Sequence, residues 1–273
     1  MRPTLDCCLW ATPIPPTHTI SVSMESTAEN TSVEPTRKKI VVFCLPGREF
    51  SNRFLMSWTQ TLHDLWSSGK YNILVSNDYS SCVHFARAKC LGASVTRGPK
   101  QMPFDGKIPY DVMVWIDSDI VFRSADVMAL IDATEHHPVV SGLYMMEDGE
   151  HFCAVENWDT AYYIQNGGCF EFVTPQRIKS YTETTNTVFM PCAYAGLGFC
   201  AFRHGVFEDE RLTYPWFYTN TQVIKTGREE VPEYHDLASE DVSLFRNLTE
   251  KGVIPAVMVK CDLRVGHEKK LIM

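Results

Sequence analysis

The pattern of hydrophobic positions from residue 38 onwards predicts strands that alternate with helices. Short apolar runs at residues 40–45, 71–75 and 112–116 have the length and composition of strands buried in a sheet. Apolar residues over 50–66 recur with the 3.6-residue period of a helix, and a second helix is predicted over 81–91. This alternation predicts an α/β fold with a doubly wound, mostly parallel central sheet flanked by helices.

The second half of the chain has a less regular pattern. Its shorter apolar runs predict strands at residues 139–144, 170–173 and 198–202, and no internal repeat is visible. We interpret this half as a smaller elaboration of one domain, which we expect to extend over residues 38–273.

The first 37 residues differ from the rest in composition. Residues 1–37 are rich in Thr, Ser, Pro and Glu without a period, which predicts a disordered leader. Asp6 and Pro13 interrupt their apolar residues, so the continuous hydrophobic segment of a signal peptide is missing. No run of eighteen or more apolar residues follows, and we therefore expect no transmembrane segment.

Charge and cysteine usage exclude some partners and favour one compartment. The formal net charge is −8, whereas proteins that bind the phosphate backbone concentrate Lys and Arg, so we expect no nucleic-acid partner. The ten cysteines contain no C-x-x-C pair, and several lie within apolar runs, as reduced, buried thiols do. This usage predicts a cytoplasmic location.

Two carboxylates follow directly after the apolar run at 112–116. Side chains alternate along an extended segment, so we expect Asp117 and Asp119 to face the same side at the strand's carboxyl end. In a doubly wound sheet, ligands bind at that edge, and Mg²⁺ and Mn²⁺ prefer carboxylate and phosphate oxygens. An isolated Asp-x-Asp occurs by chance roughly once in a chain of this length, but its position after a buried strand favours a functional interpretation.

A second acidic motif, Ser239-Glu240-Asp241, begins a predicted helix. Acidic residues in a first turn can simply complement the helix dipole, with Ser239 as the cap. Asp241, however, shares an apolar stripe with Leu244 and Leu248, at i, i+3 and i+7. A carboxylate on that stripe points inward, where its protonation can be tuned for general-base catalysis.

The third motif is Val265-Gly266-His267, which follows a predicted strand near the carboxyl terminus. A single histidine is usually an ordinary surface or core residue. Together with the two acidic motifs, His267 becomes a candidate nitrogen ligand for a metal ion.

In this order and spacing, the three motifs resemble those of the GT-A-fold glycosyltransferases, over residues 39–269. The resemblance implies a GT-A-type fold with a nucleotide-binding half at 38–137 and an acceptor-binding half at 138–273. It further implies a metal-dependent, inverting glycosyltransferase with Mn²⁺ or Mg²⁺ as cofactor. The donor would be a nucleoside-diphosphate sugar, with a UDP-sugar favoured, and the acceptor a hydroxyl of a glycan, glycoprotein or glycolipid.

The resemblance also implies roles for individual residues. Asp241 would be the catalytic base, with Glu240 hydrogen-bonded to the acceptor, and Asp117, Asp119 and His267 would hold the metal. The residues that it assigns to the nucleotide are Pro46, Gly47, Arg48, Asn77, Arg87, Asp117 and Ser118.

Two of these assignments have structural alternatives. Arg87 resembles the family's donor-contacting arginine but fits an ordinary charge on a helix surface equally well. The segment Gly196-Leu197-Gly198 resembles the glycine segment on the acceptor side, where backbone approaches the sugar, and it also fits a turn that enters a strand.

Two other functions remain open. Four apolar residues before Asp117-Ser118-Asp119 also fit a haloacid-dehalogenase-like phosphatase, in which Asp117 would attack phosphorus and Asp119 would act as acid and base. That family places the motif on its first strand, whereas here at least two strand-helix units precede it. A non-enzymatic carbohydrate-binding or scaffold protein would require all three motifs to be coincidental.

Overall fold

A central sheet of seven strands organises the computed structural model, which describes residues 37–269. In chain order, the strands are β1 (Lys39–Pro46), β2 (Tyr71–Asp78), β3 (Val112–Ile116), β4 (Ile120–Val121), β5 (Val139–Leu143), β6 (Ala154–Val155), β7 (Phe189–Cys192), β8 (Tyr194–Ala195), β9 (Phe199–Arg203), β10 (Thr221–Lys225), β11 (Glu233–Leu237), β12 (Val257–Arg264) and β13 (Gly266–His267). The helices are α1 (Asn52–Ser67), α2 (Val83–Cys90), α3 (Ser124–Ala133), α4 (Thr160–Gln165), α5 (Pro175–Thr185) and α6 (Glu240–Glu250). The predicted leader, apart from residue 37, lies outside the described residues.

Five of the seven strands in the central sheet run in the same direction. The sheet order is β2-β1-β3-β9-β5-β12-β7. Strands β2, β1 and β3 are mutually parallel, and β5 is parallel to β12. Strand β9 is antiparallel to both β3 and β5, and β7 is antiparallel to β12. The predicted α/β fold with a mostly parallel central sheet is therefore confirmed.

Apolar layers cover both faces of this sheet, which explains why the strand sequences are apolar throughout. Along β1, Val41 and Phe43 pack in one layer with residues of α1 and α3. Val42 and Cys44 point to the other face and pack in a layer that includes α2, α5 and α6. All five residues of β3 are buried, so the residues that follow this strand start from a fixed position.

Three sequence-based expectations about local structure were wrong. Residues 170–173 do not form a strand; Phe172 makes only an isolated bridge to Val155. In α1, Leu55 and Trp66 were expected to face the sheet but are 57% and 61% exposed. The apolar stripe of this helix is wider than the surface that the sheet offers it, so its flanks face solvent. The turn at 117–120 is the third difference and is described with the site.

All eight cysteines within the described residues are free, as expected for reduced thiols. Among the described helices, none combines the length and apolar character that a bilayer crossing requires.

Candidate active site

The Asp-x-Asp motif lies in a turn between β3 and β4. The backbone N–H of Ile120 donates to the carbonyl of Asp117 at 3.1 Å, which closes the turn. This turn ends the alternation of side chains that holds along a strand, so Asp117 and Asp119 have different partners. The expectation of an extended segment at Asp117 and Asp119 is therefore wrong: Asp117 pairs with Arg87, and Asp119 lies against His267.

Arg87 connects Asp117 with the second acidic motif. Its two terminal nitrogens donate to the two carboxylate oxygens of Asp117 at 3.0 and 2.9 Å, and its Nε donates to Glu240 at 3.1 Å. The guanidinium lies 5.6 Å from the ring centroid of Trp115 on β3. Only 3% of Arg87 is exposed, so the interpretation as a helix-surface charge is wrong.

The electrostatics of this buried group follow from its one cation and two carboxylates. Burial lowers the pKa of Arg87, but the charges of Asp117 and Glu240 more than offset this effect and raise it above its ordinary value. Burial and the neighbouring charge of Asp241 raise the pKa of Glu240. The Glu240 side chain is 10% exposed. Its position against Arg87 does not match the expected role at the acceptor hydroxyl.

The carboxyl-terminal motif reaches the turn through a short strand pair. Strand β13 pairs antiparallel with β4, with His267 opposite Ile120. His267 Nε2 then lies 3.2 Å from Asp119 Oδ2, while its Nδ1 lies 2.7 Å from the carbonyl of Met145. Because a carbonyl only accepts, Nδ1 is the donor, and in the neutral ring Nε2 keeps its lone pair for a proton or a cation.

Charge couples Asp119 and His267. The hydrogen bond with Asp119 raises the pKa of His267 against the opposing effect of burial. Burial raises the pKa of Asp119, but the hydrogen bond and charge of His267, with the charge of Lys269, bring it below its ordinary value. Lys269 Nζ is 3.8 Å from Asp119 Oδ2. A carboxylate, an imidazole and an ammonium therefore meet at this point.

The predicted metal group of Asp117, Asp119 and His267 is not assembled. Both oxygens of Asp117 accept from Arg87, whereas Asp119 lies against His267. Within residues 37–269, no cluster of three or more His, Cys, Asp or Glu side chains has a geometry that could hold an ion. The donor set that does converge is one oxygen and one nitrogen, and it fits a divalent ion whose remaining ligands are phosphate oxygens and water.

Asp241 is the second residue of helix α6 and is half-buried. Its Oδ2 accepts the hydroxyl of Tyr194 at 2.8 Å. Its Oδ1 accepts the hydroxyl of Ser239 and, at 2.8 Å, the backbone N–H of Val242. The hydroxyl of Ser239 makes no cap bond to the helix backbone, so the interpretation of Ser239 as a simple cap is wrong.

A cleft of about 370 Å³ lies beside Asp119. Its lining comes from the loop after β1, the Asp-x-Asp turn and the carboxyl-terminal segment: Glu49, Phe50, Ser51, Ser118, Asp119, Glu268 and Lys269. One carboxylate oxygen of Glu268 is buried without a hydrogen-bond partner among the described residues. The cleft therefore contains both signs of charge and open hydrogen-bonding capacity.

The predicted nucleotide residues at and beside the loop after β1 have different environments. Gly47 has φ of +151°, and a Cβ there would lie 3.1 Å from Cβ of Ser118, so the loop approaches the turn closely. Arg48 is exposed and lies over the ring of Tyr79, 5.5 Å from its centroid. Pro46 is the last residue of β1. The amide of Asn77 donates to the carbonyls of Leu45 and Gly47, so Asn77 supports the loop from behind.

Sequence patterns did not indicate the tyrosines around Asp241. Tyr144 and Tyr194 are single aromatic residues in irregular segments, and their neighbour Cys153 had no distinguishing context. The sequence signal that was available is the pair of glycines Gly196 and Gly198. A Cβ at Gly196 would lie 1.9 Å from the hydroxyl oxygen of Tyr144 and 2.7 Å from Sγ of Cys153, and one at Gly198 would lie 3.0 Å from Tyr144. These glycines are required by the protein's own side chains.

Comparison with known proteins gives structural matches only. No protein-family model matches the chain, and no curated protein matches it. A197 from STIV is 14% identical, with 85% of this chain and 96% of that chain covered, at a TM-score of 0.42. GalNAc-T7 with UDP, GalNAc and Mn²⁺ is 12% identical, with 87% of this chain and 45% of that chain covered, at a TM-score of 0.44.

A third match is glucosyl-3-phosphoglycerate synthase from Mycobacterium tuberculosis with Mn²⁺, UDP and phosphoglyceric acid. It is 12% identical, with 86% of this chain and 72% of that chain covered, at a TM-score of 0.39. GT-A glycosyltransferases, the family that the three motifs resemble, are among these matches. Because the identities and TM-scores are low, the function proposed below rests on the side chains of this chain.

Proposed function

We propose that this protein is a metal-dependent, inverting glycosyltransferase that moves a sugar from a nucleoside-diphosphate sugar to an acceptor hydroxyl. The observation that carries the proposal is the Arg87 bridge. One buried guanidinium joins the Asp-x-Asp turn after β3 to the first turn of α6. This bridge links the turn that contains Asp119 to the helix that contains the candidate base, Asp241, and we propose that these residues and His267 form one site at the sheet edge where ligands bind in such folds.

Asp119 and His267 would hold Mn²⁺ or Mg²⁺ together with the donor's diphosphate. When bound, the ion would offset the negative charge that develops on the departing diphosphate. Lys269, 3.8 Å from Asp119, adds a positive charge at the same place. The cleft of about 370 Å³ beside Asp119 would take the nucleotide, with Ser118 in its wall.

Asp241 would take the proton of the acceptor hydroxyl as that oxygen attacks the anomeric carbon. Its carboxylate is half-buried and held at both oxygens, so it is oriented before the acceptor arrives. A single displacement with the base opposite the leaving group inverts the anomeric configuration. We propose a hydroxyl of a glycan, glycoprotein or glycolipid as the acceptor.

The test is a panel of nucleotide sugars scored by metal-dependent release of nucleoside diphosphate. UDP-sugars with Mn²⁺ come first, because UDP and Mn²⁺ are bound in two of the matched structures. Asp241→Asn should lower turnover by roughly 10²- to 10⁴-fold with donor binding preserved. Glu208→Gln is a matched control. Glu208 also accepts a tyrosine hydroxyl, that of Tyr110, at 2.6 Å, and Tyr110 lies just before the amino end of β3.

Two results would contradict the proposal. A product that retains the donor's anomeric configuration, read by NMR, would exclude the inverting mechanism. Full turnover in Asp241→Asn would exclude Asp241 as the base.

The phosphatase alternative is not favoured by the geometry of Asp117. Asp117 would have to be the nucleophile, but both of its oxygens accept hydrogen bonds from the buried guanidinium of Arg87, which withdraw negative charge from the carboxylate and weaken it as a nucleophile. Release of inorganic phosphate from simple phosphate esters would support the phosphatase instead. Absence of turnover with every donor, combined with glycan binding, would support a carbohydrate-binding protein.

A further inference from the structure

The carboxylate of Asp241 is oriented by a side chain from another part of the chain. Ser239 and the N–H of Val242, both beside Asp241 in sequence, bind only Oδ1. Its other oxygen, Oδ2, accepts from Tyr194, which lies 47 residues earlier on strand β8. Rotation of the Asp241 side chain would break the Tyr194 bond, so this contact fixes the direction of Oδ2.

Tyr194 is itself held in place on several sides. It is 5% exposed. Its ring packs edge-on against Phe245 of α6, with centroids 6.1 Å apart, and lies 6.3 Å from the ring of Trp158. Its hydroxyl oxygen is 3.4 Å from Sγ of Cys153. A side chain so enclosed has one available rotamer, and its hydroxyl stays where the Asp241 bond requires it.

The hydroxyl of Tyr194 is a permanent donor to Asp241. Burial and the charge of Asp241 raise the pKa of Tyr194 well above its ordinary value, so the phenol remains protonated at neutral pH. A protonated phenol cannot remove a proton from the acceptor, which leaves Asp241 as the base. Because a carboxylate oxygen has two lone pairs, Oδ2 can accept from Tyr194 and still receive a second proton.

We infer that Tyr194 is a positioning residue that aims Oδ2 of Asp241 at the acceptor hydroxyl. This inference rests on the proposed function. As the acceptor oxygen bonds to the anomeric carbon, the bond from that carbon to the diphosphate breaks and its electron pair leaves with the diphosphate. The acceptor proton moves to Oδ2 of Asp241, and the proton of Tyr194 stays on its own oxygen throughout.

Tyr194→Phe removes the hydroxyl and keeps the ring. We expect kcat to fall about 10- to 100-fold, because an imprecisely placed base loses orientation rather than basicity. We expect the donor KM to stay within about twofold, since a positioning residue of the base contributes to the transition state only. Tyr110→Phe is the matched control. It removes an equally buried hydroxyl from a carboxylate, Glu208, and should leave kcat unchanged.

A double-mutant cycle separates positioning from general stability. If Tyr194 acts only through Asp241, Tyr194→Phe should add less than about a twofold loss in the Asp241→Asn background. An equal loss in both backgrounds would overturn the inference, because Tyr194 would then act independently of the base.

A spectroscopic measurement covers the case in which Tyr194→Phe is poorly folded. With 3-fluorotyrosine at position 194 of the full chain, the ¹⁹F shift should change in Asp241→Asn and stay constant in Glu208→Gln. Wild-type turnover in a folded Tyr194→Phe, with Asp241→Asn inactive, would refute this inference and leave the proposed function intact. Wild-type turnover in Asp241→Asn would instead refute the base and, with it, the proposed function. An unresponsive ¹⁹F shift would show that the Tyr194–Asp241 bond is absent in solution.

Discussion

Replacement of Arg87 should strongly destabilise the fold. Without the guanidinium, the Glu240 side chain, which is 10% exposed, and the Asp117 side chain, which is 29% exposed, would have no cation between them. Breaking a buried ion pair from one side typically costs about 3–5 kcal/mol, and we expect a loss of that order in the free energy of unfolding of Arg87→Gln. Urea denaturation measures it.

Arg177→Gln is the control for this experiment. Arg177 also makes a two-bond contact with a carboxylate, Glu156, but both side chains are partly exposed. Exposed pairs contribute about 0–1 kcal/mol. Equal losses in the free energy of unfolding of the two variants would contradict the stabilising role of the Arg87 bridge.

The raised pKa of His267 makes metal binding depend on pH in a defined direction. Protonated His267 cannot ligate a cation, so Mn²⁺ affinity should rise as pH increases through that pKa, above the ordinary value of about 6.5. Without metal, the stability of the fold depends on pH in the opposite direction. The pair with Asp119 stabilises the fold while His267 is protonated, and this contribution is lost as pH rises through the same pKa.

Mn²⁺ titrations between pH 5.5 and 8.5, on wild type and on His267→Ala, measure the effect. The variant should bind more weakly at high pH and show a flatter profile. An unchanged profile in the variant would return His267 to the class of ordinary surface residues.

At the residue scale, the sequence located the candidate site residues at the ends of elements but did not indicate their partners. Asp117, Asp119, Asp241 and His267 all lie at strand ends or helix starts, which periodicity can locate. Their contacts depend on a turn at 117–120 that changes two side-chain directions, and apolar periodicity carries no information about that turn.

At the scale of elements, the buried parallel strands were the most predictable. Strand β3 has the predicted bounds, and β1 and β2 extend the predicted runs by one to three residues. The continuous apolar sequences of β1 and β3 follow from burial on both faces, whereas β2 is an edge strand in which only Tyr71 is buried, so its predicted burial was wrong. The elaboration in the second half was less predictable. Strands β7, β10 and β11 each pair on only one side, so the hydrophobic pattern that they require is weak.

The segment before β9 is packed so closely that one methyl group should disturb it. In Gly196→Ala, the new Cβ would lie 1.9 Å from the Tyr144 hydroxyl oxygen and 2.7 Å from Sγ of Cys153. Overpacking of this kind costs about 1–3 kcal/mol, and we expect that loss in urea denaturation. Adding Tyr144→Phe removes the nearest atom and should recover part of it. No recovery would show that Sγ of Cys153 or the ring of Tyr144, and not the hydroxyl, limits the site.

At the scale of the whole molecule, donor nucleotide and metal should stabilise the domain together. A ligand at 100 times its Kd stabilises the folded state by about 2.7 kcal/mol, which corresponds to a rise of roughly 5–11 °C in Tm for a domain of this size. We expect this rise with UDP and Mn²⁺ together and its loss on addition of EDTA. Asp119→Ala should abolish this rise and lower the Tm of the free protein only slightly, because the pair that it breaks with His267 is partly exposed. A rise that persists in EDTA would exclude the metal role of Asp119.

The position of β9 has a consequence for how the protein is made. Strands β3 and β5 are both complete by residue 143, yet they are connected only through β9, which ends at Arg203. A ribosome adds roughly 5–20 residues per second, so the 60 residues from 143 to 203 take about 3 to 12 seconds. Throughout this interval the nascent chain exposes two unpaired strand edges, which are the structures that cause aggregation. Assistance from chaperones should therefore matter most midway through synthesis, before β9 emerges from the ribosome.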